Sequence, residues 1–305
     1  MDRRTVLGAL GAAFVPVPAL ALGAPVGASL LAALERQSGG RLGVAVRDTA
    51  TRRGFGWRQH ERFAHCSTFK LSLAALVLSE IDAGRAHGDE VLSYAVIDVL
   101  PASPVTGAAA GKEGLPILTL ARAAVERSDN LAANLLLTRF GGPAALTAFW
   151  CKLGDDISRL DNKEPDLNRV APGALHDTTT PAAMAASVGR LLTGSVLSGE
   201  SRAQLWAWMK NASTGLNRLR GGLPAGWQAG DKTGTWNDGH TTAKVNDLAL
   251  VLAPVGDSQF AAPLAVTAYY EPTGTPDAVR PADEAVLAAV MRIATDPAAW
   301  KVKRR

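Results

Sequence analysis

The chain has 305 residues, 47% of them hydrophobic and 20% charged; it is long enough for one large domain or two ordinary ones and too apolar for a disordered polypeptide. Glycine and proline follow no G-x-y period and no repeat of roughly 20–50 residues is visible, which excludes fibrous and solenoid architectures, while two cysteines cannot make a disulfide scaffold and no Cys/His spacing suggests zinc. The formal charge of +4 is no footprint for nucleic acid: Arg3 and Arg4 against Asp2, together with Lys301, Lys303, Arg304 and Arg305, supply a net five positive charges, so the body between sums to −1 and has no long-range field for a polyanion.

Residues 1–24 (MDRRTVLGALGAAFVPVPALALGA) open with a charged stretch, continue as an apolar run and reach the small-x-small site Ala19-Leu20-Ala21. That is the organisation of an export signal cleaved near Ala21 or Ala24, and Arg3-Arg4 followed by Leu7 resembles the twin-arginine type. The competing reading is a membrane anchor, but Pro16 and Pro18 break a run already shorter than the roughly 20 apolar residues of a span. The mature chain is expected in the periplasm or secreted, free of the membrane, with residues 301–305 as a solvated basic tail.

Apolar spacing predicts a helix over 26–37, ended by Gly39-Gly40, then a strand over 42–48, a turn at 49–51 and a second strand over 53–58. Residues 69–81 are apolar on nearly every side, the mark of a helix buried within a domain, with Gly84 as its stop. Helices follow over 118–127, 131–140, 143–153, 181–192 (capped by Thr180, with Pro181 in the first turn) and 199–210. Strand patterns return at 226–233, 245–253 and 263–270, and an amphipathic helix over 282–295 closes the chain. The fold class is therefore α/β of the α+β kind. An antiparallel sheet with flanking helices is built from both ends of the chain, 25–62 and 213–300, and an all-helical domain, 63–212, is inserted between them. A cleft at such a junction is a favoured place for a small-molecule site.

Four short patterns carry candidate chemistry. Ser67-Thr68-Phe69-Lys70 starts the buried helix, and the i, i+3 spacing puts hydroxyl and amine on one face. A buried lysine tends to lose its charge and can take a serine proton. With 15 serines and 9 lysines, roughly half an S-x-x-K arises by chance, and taken alone Ser67 reads better as a helix cap than as a nucleophile. Ser128-Asp129-Asn130 lies between two helices and reads either as groups projecting into a cleft or as a cap for the helix beginning near Leu131. Lys232-Thr233-Gly234-Thr235 lies on a late strand; Lys232 and the threonine hydroxyls can bind a carboxylate and Gly234 permits close approach to the backbone, against the plainer reading of a strand running into a turn. Glu164-Pro165-Asp166-Leu167-Asn168 falls in a stretch without periodicity, 158–177, of a length that is usually functional or mobile; in isolation Glu164 is a solvated loop acid.

Together, in this order, S-x-x-K, S-D-N, E-x-x-L-N and K-T-G resemble the motif set of the class A serine β-lactamases, which share three of the four with penicillin-binding proteins. The run Asp177-Thr178-Thr179-Thr180-Pro181 resembles the segment after that family's Ω-loop, so the resemblance spans nearly all of the mature chain. It implies a β-lactamase/transpeptidase-like fold and acylation of Ser67 by a β-lactam. Lys70 and Glu164, the latter through a water, are the competing acylation bases. Ser128 is the proton relay to the lactam nitrogen. Glu164 with Asn168 holds the water that deacylates the enzyme. The backbone N–H groups of Ser67 and Thr235 form the oxyanion hole, and Lys232, Thr233 and Thr235 bind the substrate carboxylate, with Gly234 letting the substrate lie close to the strand and Arg218 adding positive charge. Asn130 binds the acylamide. No metal or cofactor is implied, the partner is a small-molecule β-lactam, and the default state is a monomer.

The departures are specific. The family often pairs an arginine two residues before the glutamate with the aspartate matching Asp177; here Asn162 stands there, and Arg159 or Lys163 are the candidates to compensate. Ala102 precedes Ser103-Pro104-Val105 where an aromatic residue is common, which implies a more open cleft rim. Cys66 precedes the nucleophile, as in some members, but Trp236 occupies the place of its usual cysteine partner, so Cys66 and Cys151 are expected to be free and buried. The alternatives are a D-Ala-D-Ala peptidase or penicillin-binding protein, or a penicillin sensor, in all of which deacylation is slow; Glu164 with Asn168 argues against the peptidase, and a sensor is expected to need a membrane helix or signalling domain, neither of which the sequence suggests.

Overall fold

The computed structural model describes residues 25–256, 260 and 262–302; the predicted export signal and the last three residues of the tail lie outside them. In chain order the elements are α1 (Val26–Ser38), β1 (Arg41–Asp48), β2 (Gly54–Trp57), β3 (Phe63–Ala64), α2 (Phe69–Asp82), β4 (Val91–Leu92), α3 (Pro104–Ala108), β5 (Leu115–Pro116), α4 (Ile117–Glu126), α5 (Asn130–Arg139), α6 (Gly142–Lys152), β6 (Thr178–Thr179), α7 (Pro181–Thr193), α8 (Gly199–Lys210), β7 (Gln228–Trp236), β8 (Lys244–Leu252), β9 (Leu264–Glu271) and α9 (Pro281–Ala294).

The sheet runs β2-β1-β9-β8-β7, every pair antiparallel. Its centre joins the two ends of the chain: β1 pairs along its whole length with β9, from Arg41 opposite Glu271 to Asp48 opposite Leu264. Strand alternation sorts the side chains into two cores. Val44, Val46, Ala249, Val251, Val266 and Tyr270 face α1 and α9, whereas Ala45, Leu248, Leu250 and Ala265 join the core around α2. Of the 14 residues of α2, ten are buried, and it packs against α4, α5, α6 and α8, which is what its near-continuous apolar sequence predicts.

Caps set the boundaries. Gly39 ends α1 in the left-handed region at φ 75°, as C-terminal glycines do. The Thr180 side chain accepts from Ala183 N to start α7, and Ser198 accepts from Ser201 N to start α8. Thr267 Oγ1 donates to Pro181 O at 2.9 Å, fixing α7 to β9. Tail residues Lys301 and Val302 are exposed, yet Lys301 O accepts from Val26 N at 2.9 Å, so the tail is tied to α1. Among the described residues no helix is long and apolar enough to cross a membrane.

Trp150 on α6 is fully buried, stacks on His65 with ring centroids 4.8 Å apart, and donates from Nε1 to Ser72 Oγ on α2 at 2.9 Å. Trp150→Ala leaves a large cavity between α2, α6 and His65; it is expected to lower unfolding free energy by about 3–5 kcal/mol, measured by urea denaturation, and a loss under about 1 kcal/mol would contradict this packing.

Candidate active site

Ser67 lies on a short 3-10 turn, Cys66–Thr68, that runs into α2. No side chain caps the start of α2, so the helix-cap reading of Ser67 fails. Its Oγ accepts from Lys70 Nζ at 2.9 Å and donates to Glu164 Oε1 at 3.1 Å. Lys70 is fully buried, one helical turn further on. Its Nζ also donates to Ser128 O at 2.8 Å and Asn130 Oδ1 at 2.5 Å, and lies 3.0 Å from Glu164 Oε1. Burial pushes the Lys70 amine below its ordinary range, with the Glu164 carboxylate pulling the other way.

The S-D-N turn divides its labour. Asp129 is the helix cap, accepting from Ala132 N at 2.9 Å, and it also holds Val105 N, Thr106 N and Thr106 Oγ1. The cap reading is right for Asp129 and leaves its neighbours to face the cleft. Ser128, at φ 55°, presents Oγ to Lys232 Nζ at 3.0 Å. Asn130 Nδ2 donates to Pro101 O at 2.9 Å, so both ends of this amide have protein partners.

On β7, Lys232 is fully buried and also donates to Thr233 O at 2.8 Å. Burial first, then the nearby Lys70 charge, pushes its amine down to about 7, against the pull of Asp231 and Asp247. The Thr233 hydroxyl bonds Thr214 Oγ1 at 2.8 Å. Arg218 is buried beneath the strand: Nη2 donates to Thr235 Oγ1 at 2.8 Å, Nη1 to Asn246 O at 2.9 Å and Gly234 O at 3.2 Å, and Nε pairs with Glu284 at 3.3 Å. Asp231 is ion-paired with Arg220, and burial raises its carboxyl to about 6. β7 is an edge strand packed on the Cys66–Thr68 turn. A Cβ on Gly234 would lie 2.7 Å from His65 O and 2.9 Å from Thr68 Cγ2, so glycine here lets the strand lie against the turn that carries Ser67.

The aperiodic stretch brings Glu164 inward rather than to solvent: it is 5% exposed. Asn134 on α5 grips its backbone from both sides, Nδ2 to Glu164 O at 2.9 Å and Glu164 N to Oδ1 at 3.0 Å. Asn168 Nδ2 donates to Glu164 Oε2 at 2.7 Å, while Asn168 Oδ1 is buried without a hydrogen-bond partner among the described residues. The base of the loop is pinned by Asp177, fully buried, which accepts from Asp161 N at 2.8 Å, Asn162 N at 2.9 Å and Asn162 Nδ2 at 2.7 Å. Asn162 thus does by hydrogen bonding what an arginine would do by charge. The expected substitutes lie elsewhere: Arg159 pairs with Asp161 and Lys163 donates to Thr138 Oγ1 at 2.7 Å.

Sequence reasoning missed Asn134 and Thr214. Asn134 sits four residues after Asn130, on the same face of α5, and that spacing was the available signal; Thr214, in a connecting segment, offered none. Both cysteines are free, but Cys151 is exposed, not buried, because α6 turns Leu146, Phe149 and Trp150 inward and leaves Cys151 on the outer side. The Cys66 thiol is buried and burial pushes it up to about 12. Among the described residues no group of His, Cys, Asp and Glu is placed to hold a metal ion.

A serine held between a buried lysine and a buried glutamate, beside a second serine–lysine contact, is the constellation of a serine hydrolase of the Ser–Lys kind. Residues 28–293 match the β-lactamase enzyme family. β-Lactamase L2 of Stenotrophomonas maltophilia is 45% identical over 256 residues, 82% of each chain, and a β-lactamase of Citrobacter koseri 44% identical over 221 residues, 72% of this chain and 74% of the relative. The solved structure of an ancestral class A β-lactamase superposes with a TM-score of 0.80 at 48% identity, covering 87% of this chain and 97% of the ancestral one. The chain belongs to the β-lactamase enzyme family, in class A.

Removing the Asp177 carboxylate strands Asp161 N, Asn162 N and Asn162 Nδ2 at the loop base and takes the partner of His176 Nδ1. Asp177→Ala is expected to cost about 2 kcal/mol or more, and Asn162→Ala, which removes one neutral contact, about 1 kcal/mol; urea denaturation of both checks the order, and equal losses would contradict the pin.

Proposed function

We propose that this chain hydrolyses β-lactam antibiotics through an acyl-enzyme on Ser67, deacylated by a water that Glu164 activates. The observation that carries the reading is the simultaneous contact of Ser67 Oγ with Lys70 Nζ at 2.9 Å and Glu164 Oε1 at 3.1 Å. Either group is placed to accept the serine proton, and both stay candidates for the acylation base. As the Ser67 oxygen bonds to the lactam carbonyl carbon, charge develops on the carbonyl oxygen, which the N–H groups of Ser67 and Thr235 would receive; such a donor is worth roughly 3 kcal/mol of barrier. The ring C–N bond then breaks and Ser128, in contact with Lys232, passes a proton to the departing nitrogen. Lys232, Thr233, Gly234 and Thr235 would bind the substrate carboxylate. Arg218, bonded to Thr235 Oγ1, positions that threonine and lends charge behind the strand. Asn130 would receive the acylamide by exchanging its contact with Pro101.

Water then attacks the ester carbon, Glu164 takes its proton, and Ser67 is released as the alcohol. Asn168 supports this step, since its Oδ1 is a buried acceptor with no described protein partner beside the Glu164 carboxylate. The same two residues favour the lactamase over a D-Ala-D-Ala peptidase, a penicillin-binding protein or a penicillin sensor. The reading includes export by the 1–24 signal, action in the periplasm or outside the cell, and a monomeric enzyme.

Nitrocefin turnover followed with intact-protein mass spectrometry tests the proposal. The unmodified chain should turn over and lose its adduct quickly; a persistent adduct would favour the slow-deacylating alternatives. Glu164→Ala should lower turnover by about 10²–10⁴-fold and trap the adduct on Ser67, and an unchanged deacylation rate would remove Glu164 from its role. The ordinary lysine value is 10.5 and burial moves Lys232 towards about 7, so the ammonium that grips a substrate carboxylate is lost earlier than usual as pH rises. The kcat/KM for carboxylate-bearing substrates should therefore fall along an alkaline limb with an apparent pKa below 10.5. In Lys232→Arg, which stays charged, that limb should move to higher pH; an unmoved limb would assign it to another group.

A further inference from the structure

A cavity of about 930 Å³ is bordered by the Ω-loop, and none of Ser67, Lys70, Ser128, Glu164 or Lys232 is on its wall. Its roof is the outgoing arm of the loop, Arg169 to Ala174; its floor is Phe63 and Ala64 of β3 with Arg41 and Glu271 at the ends of β1 and β9; its side is the β7–β8 hairpin with Lys244. The size matches cavities that enclose small organic ligands.

The charges around it are unevenly matched. Arg41 is neutralised by Glu61 and Glu271, each at 3.0 Å, and lies over the Phe63 ring at 3.9 Å. Asp238 is committed to its own turn, accepting from His240 N, Thr241 N and Thr241 Oγ1. Lys244 differs. The residue is 4% exposed, its Nζ donates to Thr242 O at 3.0 Å, and no carboxylate pairs with it among the described residues. An ammonium carries three donors, and a buried one is costly unless an anion accompanies it. Apolar wall is supplied by Val170, Ala171, Pro172 and Ala174 of the arm, whereas Phe63 is 2% exposed with Arg41 over its ring.

We infer that this cavity is a second small-molecule site, one that takes an amphipathic monocarboxylate with its carboxylate on Lys244 and its apolar body against the 170–174 arm. The carboxylate supplies the charge that Lys244 lacks, and the body removes apolar wall from water. The 169–174 arm follows Asn168 directly in the chain, so the ligand rests against the same loop that carries Glu164. The inference does not depend on the proposed hydrolysis, because its test reads binding alone.

The probe is 4-phenylbutyrate, titrated into the isotopically labelled chain and followed by backbone amide NMR. Saturable shifts should cluster at residues 171–174 and 241–244, with half-saturation at about 1 mM or below, as expected for a ligand of this size. The neutral isostere 4-phenylbutyramide should bind about tenfold more weakly, and Lys244→Met should weaken 4-phenylbutyrate by a similar factor. Ala174→Trp, which keeps the charge and fills the space, should abolish the shifts while leaving the rest of the spectrum folded. Equal binding of acid and amide, undiminished binding to either variant, shifts confined to the Ser67 and Lys232 region, or no saturable shifts would each overturn the inference.

Discussion

A single nitrogen organises the molecule. Lys70 Nζ is out of reach of water, and a buried amine must find acceptors within the protein. It finds them on Ser67, Ser128, Asn130 and Glu164, which belong to the nucleophile turn, the S-D-N turn and the Ω-loop. Three segments separated by up to 97 positions are therefore brought to one point by the donors of one side chain. Lys232 adds a second buried amine that repels the first, and Ser128 sits between them, its carbonyl on Lys70 and its hydroxyl on Lys232. The acids Asp231 and Asp247 lie behind the strand, and burial raises both. The site is thus a balance of unfavourable buried charges that fixes where each proton is held.

The backbone shares this cost. Cys66, Ser128 and Asp177 all adopt positive φ, at 43°, 55° and 56°, a region L-residues avoid. Each adjoins or forms a fixed point of the site: before Ser67, at Ser128, and at the base of the loop that carries Glu164. Strain placed at such points persists only where the surroundings over-determine the geometry, and the bonds to Asp129 and Asp177 provide that determination.

Long periodic elements were legible in the sequence. The helices predicted over 26–37, 181–192 and 199–210 are found within a residue of those ends, because a repeating apolar face and a cap signal the same boundary. The β3–β6 and β4–β5 pairs were not legible, since a two-residue strand has no period. The strand read as 226–233 runs from Gln228 to Trp236, and the whole K-T-G-T run lies on it; the turn residues that follow masked its end. At the site, the i, i+3 rule foretold the Ser67–Lys70 contact. The inward turn of Glu164 was carried only by the ensemble of motifs, because it depends on Asn134, whose contacts join chain segments 30 positions apart and leave no local trace.

The pin at the base of the Ω-loop differs in kind from an ion pair. Asp177 accepts from two backbone amides and a neutral side-chain amide, fixed dipoles at contact distance, and also meets His176 Nδ1 at 3.0 Å. Mobile ions screen separated charges over about 8–10 Å, but they have little purchase on dipoles already touching a fully buried carboxylate. The seat of Glu164 is accordingly built to hold its shape in brine as well as in dilute buffer.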